Sequence, residues 1–99
     1  MIDSKQSATL QPKGRIVSVG ESLQVSKDIQ QAIGKGKTHI RLDLSQTREI
    51  SGSFAGFLAG IITQLRALGG KLTIENASPA IEEVLRLVGF VDVIKVNRH

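Results

Sequence analysis

Two serine side chains, Ser51 and Ser53, stand directly before the most clearly amphipathic segment of this 99-residue chain. A serine in that position typically caps a helix, because its hydroxyl accepts a hydrogen bond from a backbone N–H of the first turn. No pairing of a nucleophile with a base can be identified from the sequence. The residues by themselves therefore predict capping serines and give no support for an enzyme.

Other residues that could bind a metal or a nucleotide do not form a recognisable site. His39 and His99 are not grouped with carboxylates at ligand spacing, and the chain has no cysteine, so neither a metal centre nor a disulfide is expected. Residues 34–38 end in Gly-Lys-Thr, as a phosphate-binding loop does, but Gln31 occupies the place of the first glycine. A strand also follows where such a loop needs a helix. We interpret this segment as a turn, and no cofactor is expected.

The net charge of +4 at pH 7 raises the question of nucleic-acid binding. The basic residues are spread along the chain, and Lys35 and Lys37 are the nearest thing to a cluster. The only aromatic residues are Phe54, Phe57 and Phe90, too few for a basic groove with stacking rings. The composition therefore argues against nucleic acid and favours a solvated basic surface that attracts acidic partners.

No segment has the pattern of a membrane span or an export signal. Residues 1–10 are polar, and the longest apolar stretch, residues 54–62, is much shorter than the roughly 20 residues that cross a bilayer. We therefore expect no membrane insertion and a cytoplasmic location.

Apolar periodicity predicts the elements that position the serines. Five strands are predicted, at Ser7–Leu10, residues 15–19, residues 39–44, Lys71–Glu75 and residues 93–96. Three helices are predicted, at residues 26–33 with Ser26 as cap, between Ser53 and Gly69-Gly70, and after Ser78-Pro79.

Turn residues complete the prediction of the fold. Pro12-Lys13-Gly14 predicts a turn that joins the first two strands as a β-hairpin, and residues 45–49 are predicted to be a polar loop. The order ββαβαβαβ predicts a single α/β domain over residues 1–99. Its sheet would be mixed and mostly parallel, with an antiparallel N-terminal edge.

An ordered set of motifs resembles a known family. Asp43-Leu44-Ser45 is followed, after five residues, by Ser51-Gly52-Ser53-Phe54-Ala55-Gly56. The other matching motifs are Gly20-Glu21 after the second strand, Gly69-Gly70 after the second helix and Asn76-Ala77-Ser78-Pro79 before the third. From about residue 8 to residue 96, the chain resembles the STAS domain of the bacterial anti-sigma factor antagonists.

The resemblance implies a regulatory module that binds a protein and performs no catalysis. In that family a serine at the start of the second helix is phosphorylated by an anti-sigma factor that is also a kinase. The unphosphorylated form binds this partner and frees the sigma factor, and phosphorylation breaks the complex. The matching acceptor is Ser53, and Ser51 is the second candidate. A phosphate there would add about −1.5 to −2 charge at pH 7, and a helix N-terminus tolerates such a group.

The chain departs from the family pattern Asp-Ser-Ser-Gly at the same place. Ser51 replaces the aspartate, Gly52 the first serine and Phe54 the glycine. Leu23 also occupies a position that is often acidic in the family. These differences leave a second hypothesis open, in which the chain is a non-phosphorylated STAS subunit of a transporter or larger signalling complex.

The resemblance also implies which residues contact the partner, an anti-sigma factor or another signalling protein. Arg48 and Glu49 are expected to be exposed in that surface, and Glu21 and Ser22, in a loop over residues 20–26, are expected to flank it. Pairing of the N-terminal edge strand with a second copy stays open.

Three further side chains have expected positions. Phe54, in the first turn of the second helix, is expected to be an exposed partner contact, and Phe57, also assigned to the partner surface, is expected mainly in the core. Asp43 is expected to stabilise the loop after its strand by accepting a hydrogen bond from the backbone of Ser45 or Thr47.

Overall fold

The computed structural model describes residues 6–89 and 94–95. Within these ranges the strands are β1 (Ser7–Leu10), β2 (Gly14–Ile16), β3 (His39–Asp43), β4 (Thr47–Ile50), β5 (Lys71–Glu75) and β6 (Ile94–Lys95). The helices are α1 (Val19–Gly34), α2 (Gly52–Ala67) and α3 (Pro79–Leu87). The predicted α/β class is confirmed. Val93 and Val96, the outer residues of the predicted last strand, lie outside the described residues.

The main sheet has the strand order β1-β3-β5-β6, and each neighbouring pair is parallel. Because parallel crossovers are right-handed and this order advances in one direction, the three helices lie on the same face of the sheet. Alternate residues of the strands face these helices. Two rows in register supply this face, Ala8-Ile40-Leu72 and Leu10-Leu42-Ile74.

The core between sheet and helices is mainly aliphatic. Phe54 is its single aromatic member among the described residues with buried side chains. The buried aliphatic residues that the helices contribute are Val25, Ile29, Ala55, Leu58, Ile61, Ile62, Leu65, Ile81 and Leu85. The spacing of these residues confirms the helical periodicity predicted for α2 and α3.

The predicted N-terminal hairpin is wrong. β1 pairs in parallel with β3 and β2 pairs in parallel with β4, so the first two strands belong to different sheets. The chain bends at Pro12 and Gly14 without reversing, and Gly14 has a φ of 82°, which favours glycine. The hydroxyl of Thr47 donates to the carbonyl of Pro12 at 2.8 Å, and the N–H of Gly14 donates to the carbonyl of Gln46 at 2.9 Å. The chain makes the same bend between β3 and β4. Strand β4 therefore begins at Thr47, inside the segment 45–49 that is predicted to be a loop.

Helix α1 begins seven residues earlier than the predicted cap at Ser26. Ser18 caps it, because the Ser18 hydroxyl accepts from the N–H of Glu21 at 3.1 Å while the Glu21 carboxylate accepts from the N–H of Ser18 at 2.9 Å. This reciprocal pair is a capping box, and the spacing Ser-x-x-Glu that defines it is present in the sequence. The predicted loop over residues 20–26 is therefore helical.

The predicted starts of the other two helices are confirmed. The Ser51 hydroxyl accepts from the N–H of Phe54 at 3.0 Å and caps α2. The Ser78 hydroxyl accepts from the N–H of Ile81 at 3.2 Å, and Pro79 is the first residue of α3. Proline suits this place because its fixed φ matches the helix and no N–H is needed.

Candidate functional site

Helices α1 and α2 begin side by side at the end of the two-stranded sheet. In that sheet Ile16 is the register partner of Ile50, and the N–H of Ser51 donates to the carbonyl of Ile16 at 3.0 Å. Each strand then leads into its helix after one or two linking residues. We call the resulting patch the helix-start surface, and it consists of residues 17–23 and 48–53.

This surface brings together six of the residues that the family resemblance assigned to the site. They are Glu21, Ser22, Arg48, Glu49, Ser51 and Ser53. The two candidate hydroxyls differ in their surroundings. Ser51 is half-buried and holds the first turn of α2 through its contact with Phe54, whereas Ser53 is exposed and its hydroxyl forms no hydrogen bond within the described part of the chain. Of the two, Ser53 is thus the hydroxyl that another molecule can reach without breaking a helix cap.

The two helix N-termini differ in charge compensation. The first turn of α1 contains Glu21, whose carboxylate accepts from the N–H groups of Val17 at 3.0 Å and Ser18 at 2.9 Å. These backbone hydrogen bonds hold the pKa of Glu21 below its usual value, and the bond from Ser18 has the larger effect. The first turn of α2 contains no acidic residue, so the positive end of its dipole is not compensated there.

Charged side chains border the start of α2 on strand β4. Arg48 and Glu49 are both exposed, as expected. The Glu49 carboxylate accepts from Nε of Arg15 at 2.9 Å, and both side chains of this pair are more than half exposed, so it adds little stability. Arg48 forms no ion pair among the residues that the structure describes. The helix-start surface therefore carries one cationic side chain that is free to meet a partner.

The two phenylalanines depart from their expected positions to different degrees, because Phe54 is fully buried and Phe57 is only half-buried. Phe54 is only 1% exposed and lies in the core, whereas Phe57 is half-buried and packs against the core from one side. Phe54 shares its helix face with Leu58 and Ile61, at i+4 and i+7, and this face turns toward the sheet. The expectation of an exposed contact at Phe54 is therefore wrong, and Phe57 is the ring that is partly available at the surface.

Asp43 organises a polar network at the carboxyl ends of three strands. Its carboxylate accepts from the N–H of Ser45 at 3.0 Å, from Nε2 of Gln11 at 3.1 Å and from Nδ2 of Asn76 at 3.1 Å. These bonds stabilise the ionised form, the backbone bond from Ser45 most of all, and lower the pKa of Asp43. The predicted loop-stabilising role is confirmed, and the network joins the residues that follow β1, β3 and β5.

Because folding lowers the pKa of Asp43, its contribution to stability is present above the carboxyl's unfolded pKa and is lost as pH falls through the folded pKa. We expect Asp43→Asn to be less stable than wild type by about 1 kcal/mol at pH 7, since hydrogen bonds to the ionised carboxylate are lost. The difference should shrink toward pH 3. Urea unfolding at both pH values measures it, with Asp28→Asn, at an exposed carboxylate of α1, as control. A difference that is equal at the two pH values would contradict this role.

The described residues contain neither a metal-binding cluster nor a membrane-spanning helix. Among residues 6–89 and 94–95, His, Asp and Glu side chains do not form a group of three that could hold a metal ion. No helix in the described ranges has the length and apolar character needed to cross a membrane.

Solved structures with a similar fold are known. The chain is similar to the anti-sigma factor antagonist SpoIIAA in its unphosphorylated form, with a TM-score of 0.83 and 19% identity over 100% of this chain and 86% of that chain. It is similar to the Bacillus cell fate determinant SpoIIAA in the phosphorylated form, with a TM-score of 0.75 and 19% identity over 100% of this chain and 89% of that chain. At such identities the likeness shows the fold.

A third structure and the family comparison agree with this result. A proposed anti-sigma factor antagonist from Thermotoga maritima is similar with a TM-score of 0.80 and 20% identity, over 95% of this chain and 80% of that chain. No curated protein sequence matches the chain. The family model of the STAS domain matches residues 9–99, nearly the full length. The motifs, the fold and this match together show that the chain belongs to the STAS domain family.

Proposed function

We propose that this chain is a cytoplasmic anti-sigma factor antagonist. Its helix-start surface binds an anti-sigma factor that is also a serine kinase, and phosphorylation of Ser53 breaks the complex. The observation that carries the proposal is the exposed Ser53 hydroxyl, free of intramolecular hydrogen bonds in the described part of the chain, at the position that matches the family's acceptor serine.

The charge at the start of α2 explains how phosphorylation acts as a switch. The uncompensated N–H groups and dipole of α2 stabilise a phosphate on Ser53, so the fold itself survives the modification. The partner must then meet about −1.5 to −2 added charge at pH 7 in the middle of the contact. Desolvation of that charge, and repulsion from acidic groups of the partner, oppose binding.

A second candidate function follows from the residues around Ser53. The first turn of α2 lacks the carboxylate of the family pattern, and the Ser51 that replaces it is a helix cap. These observations favour a constitutive STAS subunit of a transporter or larger signalling complex. Such a subunit would bind its partner through the same surface without being phosphorylated.

Binding measurements on Ser53 variants test the switch. The probes are the serine-kinase-type anti-sigma factors encoded near this chain, purified and titrated against it. We expect Ser53→Asp to weaken the complex at least tenfold and Ser53→Ala to stay within about twofold of wild type, since only the former adds charge. Thr63→Asp, at an exposed position farther along α2, is the matched control and should bind as wild type does.

The result also separates the two candidate functions. A complex that tolerates Ser53→Asp and Thr63→Asp equally would contradict the switch and leave the constitutive subunit. Equal weakening by both variants would show a general effect of added negative charge on α2, and the assignment to Ser53 would be wrong.

A further inference from the structure

Helix α1 exposes two large apolar side chains near its start. Val19 is 76% exposed and Leu23 is 54% exposed, and Val17, which precedes the helix, is 37% exposed. Val19 and Leu23 are four residues apart, so they are neighbours on one side of the helix. The buried face of α1 is marked by Val25 and Ile29, and nothing in the described chain covers the side with Val19 and Leu23. Within the described ranges, this side is therefore apolar surface without an intramolecular role.

The exposed side of α1 borders α2. The Gln30 and Gln64 side chains exchange two hydrogen bonds, at 2.8 Å and 3.0 Å, and so fix which flanks of the parallel helices face each other. Seven residues earlier, or two turns, the same flanks carry Leu23 on α1 and Phe57 on α2. Eleven residues earlier they carry Val19 and Ser53.

The helices are also joined at their starts, where the N–H of Ser51 donates to the carbonyl of Ile16. Between this bond and the pair of glutamines the facing flanks of α1 and α2 run side by side, and we call the strip between them the α1–α2 groove. Its walls are Val19, Leu23 and Gln30 on one side and Ser53, Phe57 and Gln64 on the other.

The charged side chains beside the groove give it a net positive charge. Lys27, one turn after Leu23, and Arg48 are exposed and form no ion pair in the described part of the chain. The two nearby carboxylates are already occupied, that of Glu21 by the cap of α1 and that of Glu49 by Arg15. An occupant with acidic side chains would therefore be favoured over a basic one.

We propose that the α1–α2 groove binds an acidic amphipathic helix of the protein partner. The distance from Val19 to Gln30 along α1 is about 16 Å, or three turns, which matches a short helix with apolar residues at i, i+3, i+4 and i+7. Apolar side chains of that helix contact Val19, Leu23 and the exposed part of Phe57, and its carboxylates face Lys27 and Arg48. This inference rests on the proposed function, and it makes Leu23 the apolar anchor of the partner surface.

The test uses a synthetic helix as the probe. A hydrocarbon-stapled peptide of about 16 residues, with leucines on one face and glutamates on the other, is titrated into the ¹⁵N-labelled protein. We expect saturable amide shifts confined to residues 19–30 and 48–64. Leu23→Glu should weaken binding at least tenfold, because it places a carboxylate where an apolar and acidic ligand must fit. Leu68→Glu changes a leucine of nearly equal exposure, 52%, at the far end of α2 and should change binding less than about twofold.

Three outcomes would overturn the proposal that this groove binds an acidic helix. They are amide shifts outside the two segments, equal losses of peptide binding in Leu23→Glu and Leu68→Glu, and equal binding of a peptide with lysines in place of the glutamates. A wild-type dimer that Leu23→Glu converts to monomer would assign the groove to a second copy.

The same variants in the complex with the anti-sigma factor separate this inference from the proposed function. Binding lost in Leu23→Glu but kept in Ser53→Asp leaves the groove standing and removes the phosphate switch. Binding kept in Leu23→Glu but lost in Ser53→Asp removes the groove and leaves the phosphate switch standing.

Discussion

Phe54→Ala is expected to lower the free energy of unfolding by about 3–5 kcal/mol, because it empties the largest fully buried position among the described residues. The ring is only 1% exposed and lies between α2 and the sheet, on the same face as Leu58 and Ile61. Truncation removes the transfer free energy of the ring and leaves a cavity that neighbouring aliphatic side chains only partly fill. Urea unfolding monitored by circular dichroism measures the loss.

Phe57→Ala is the matched control, because it removes the same ring from a half-buried position in the same helix. We expect roughly half the loss, in proportion to the smaller apolar area that Phe57 removes from water. If Phe54→Ala were no less stable than Phe57→Ala, the placement of Phe54 in the core would be wrong. The comparison also matters for binding experiments, since a weakened complex of Phe54→Ala would report damage to the fold.

Gly70→Ala is expected to be the most disruptive substitution of a glycine in the described chain, with a loss of about 3 kcal/mol or more. Gly70 precedes β5, and a Cβ atom there would lie 1.9 Å from the carbonyl oxygen of Thr38. That oxygen accepts from the N–H of Lys71 at 2.9 Å as the chain enters the pairing of β3 with β5. Backbone on both sides must therefore shift before alanine fits.

Gly56→Ala provides the control for Gly70→Ala. Gly56 lies within α2, and a Cβ there meets nothing within 4 Å. This variant should be more stable than wild type by about 0.5–1 kcal/mol, because alanine loses less backbone entropy than glycine in a helix. Thermal or urea unfolding measures the stability of both variants. A Gly70→Ala protein as stable as wild type would contradict the close approach of residue 70 to the Thr38 carbonyl.

Local sequence patterns predicted the parts of the fold that local interactions decide. The start of α3 at Ser78-Pro79 and the alternating strands at β3 and β5 were all predicted from neighbouring residues. β4 and the parallel pairing of β1 with β3 were missed, because both depend on strands about 30 residues away in the chain. Pro12 and Gly14 are typical of a reversing turn, but pairing to Thr47 and its neighbours converts that turn into a bend.

At the candidate site, too, the sequence identifies the segment and the structure decides the positions of individual side chains. The family resemblance identified the segment with Ser51 and Ser53, but only the structure separates the half-buried cap from the exposed hydroxyl. Sequence periodicity favours Phe57 as the core ring and Phe54 as an exposed contact, and the structure buries Phe54 instead. The spacing Ser-x-x-Glu at Ser18 and Glu21 is the local signal that marks the start of α1, and apolar periodicity alone does not contain it.

Mapping of phosphate on the protein shows whether Ser53 is the residue that switches partner binding. The wild-type chain and Ser53→Ala are incubated with ATP and each serine-kinase-type anti-sigma factor encoded near it, and intact mass and peptide mass spectra are recorded. We expect one phosphate on Ser53 of the wild type, none on Ser53→Ala, and loss of the complex in proportion to the phosphorylated fraction. A stable complex whose chain remains unphosphorylated at every ATP concentration would contradict the switch.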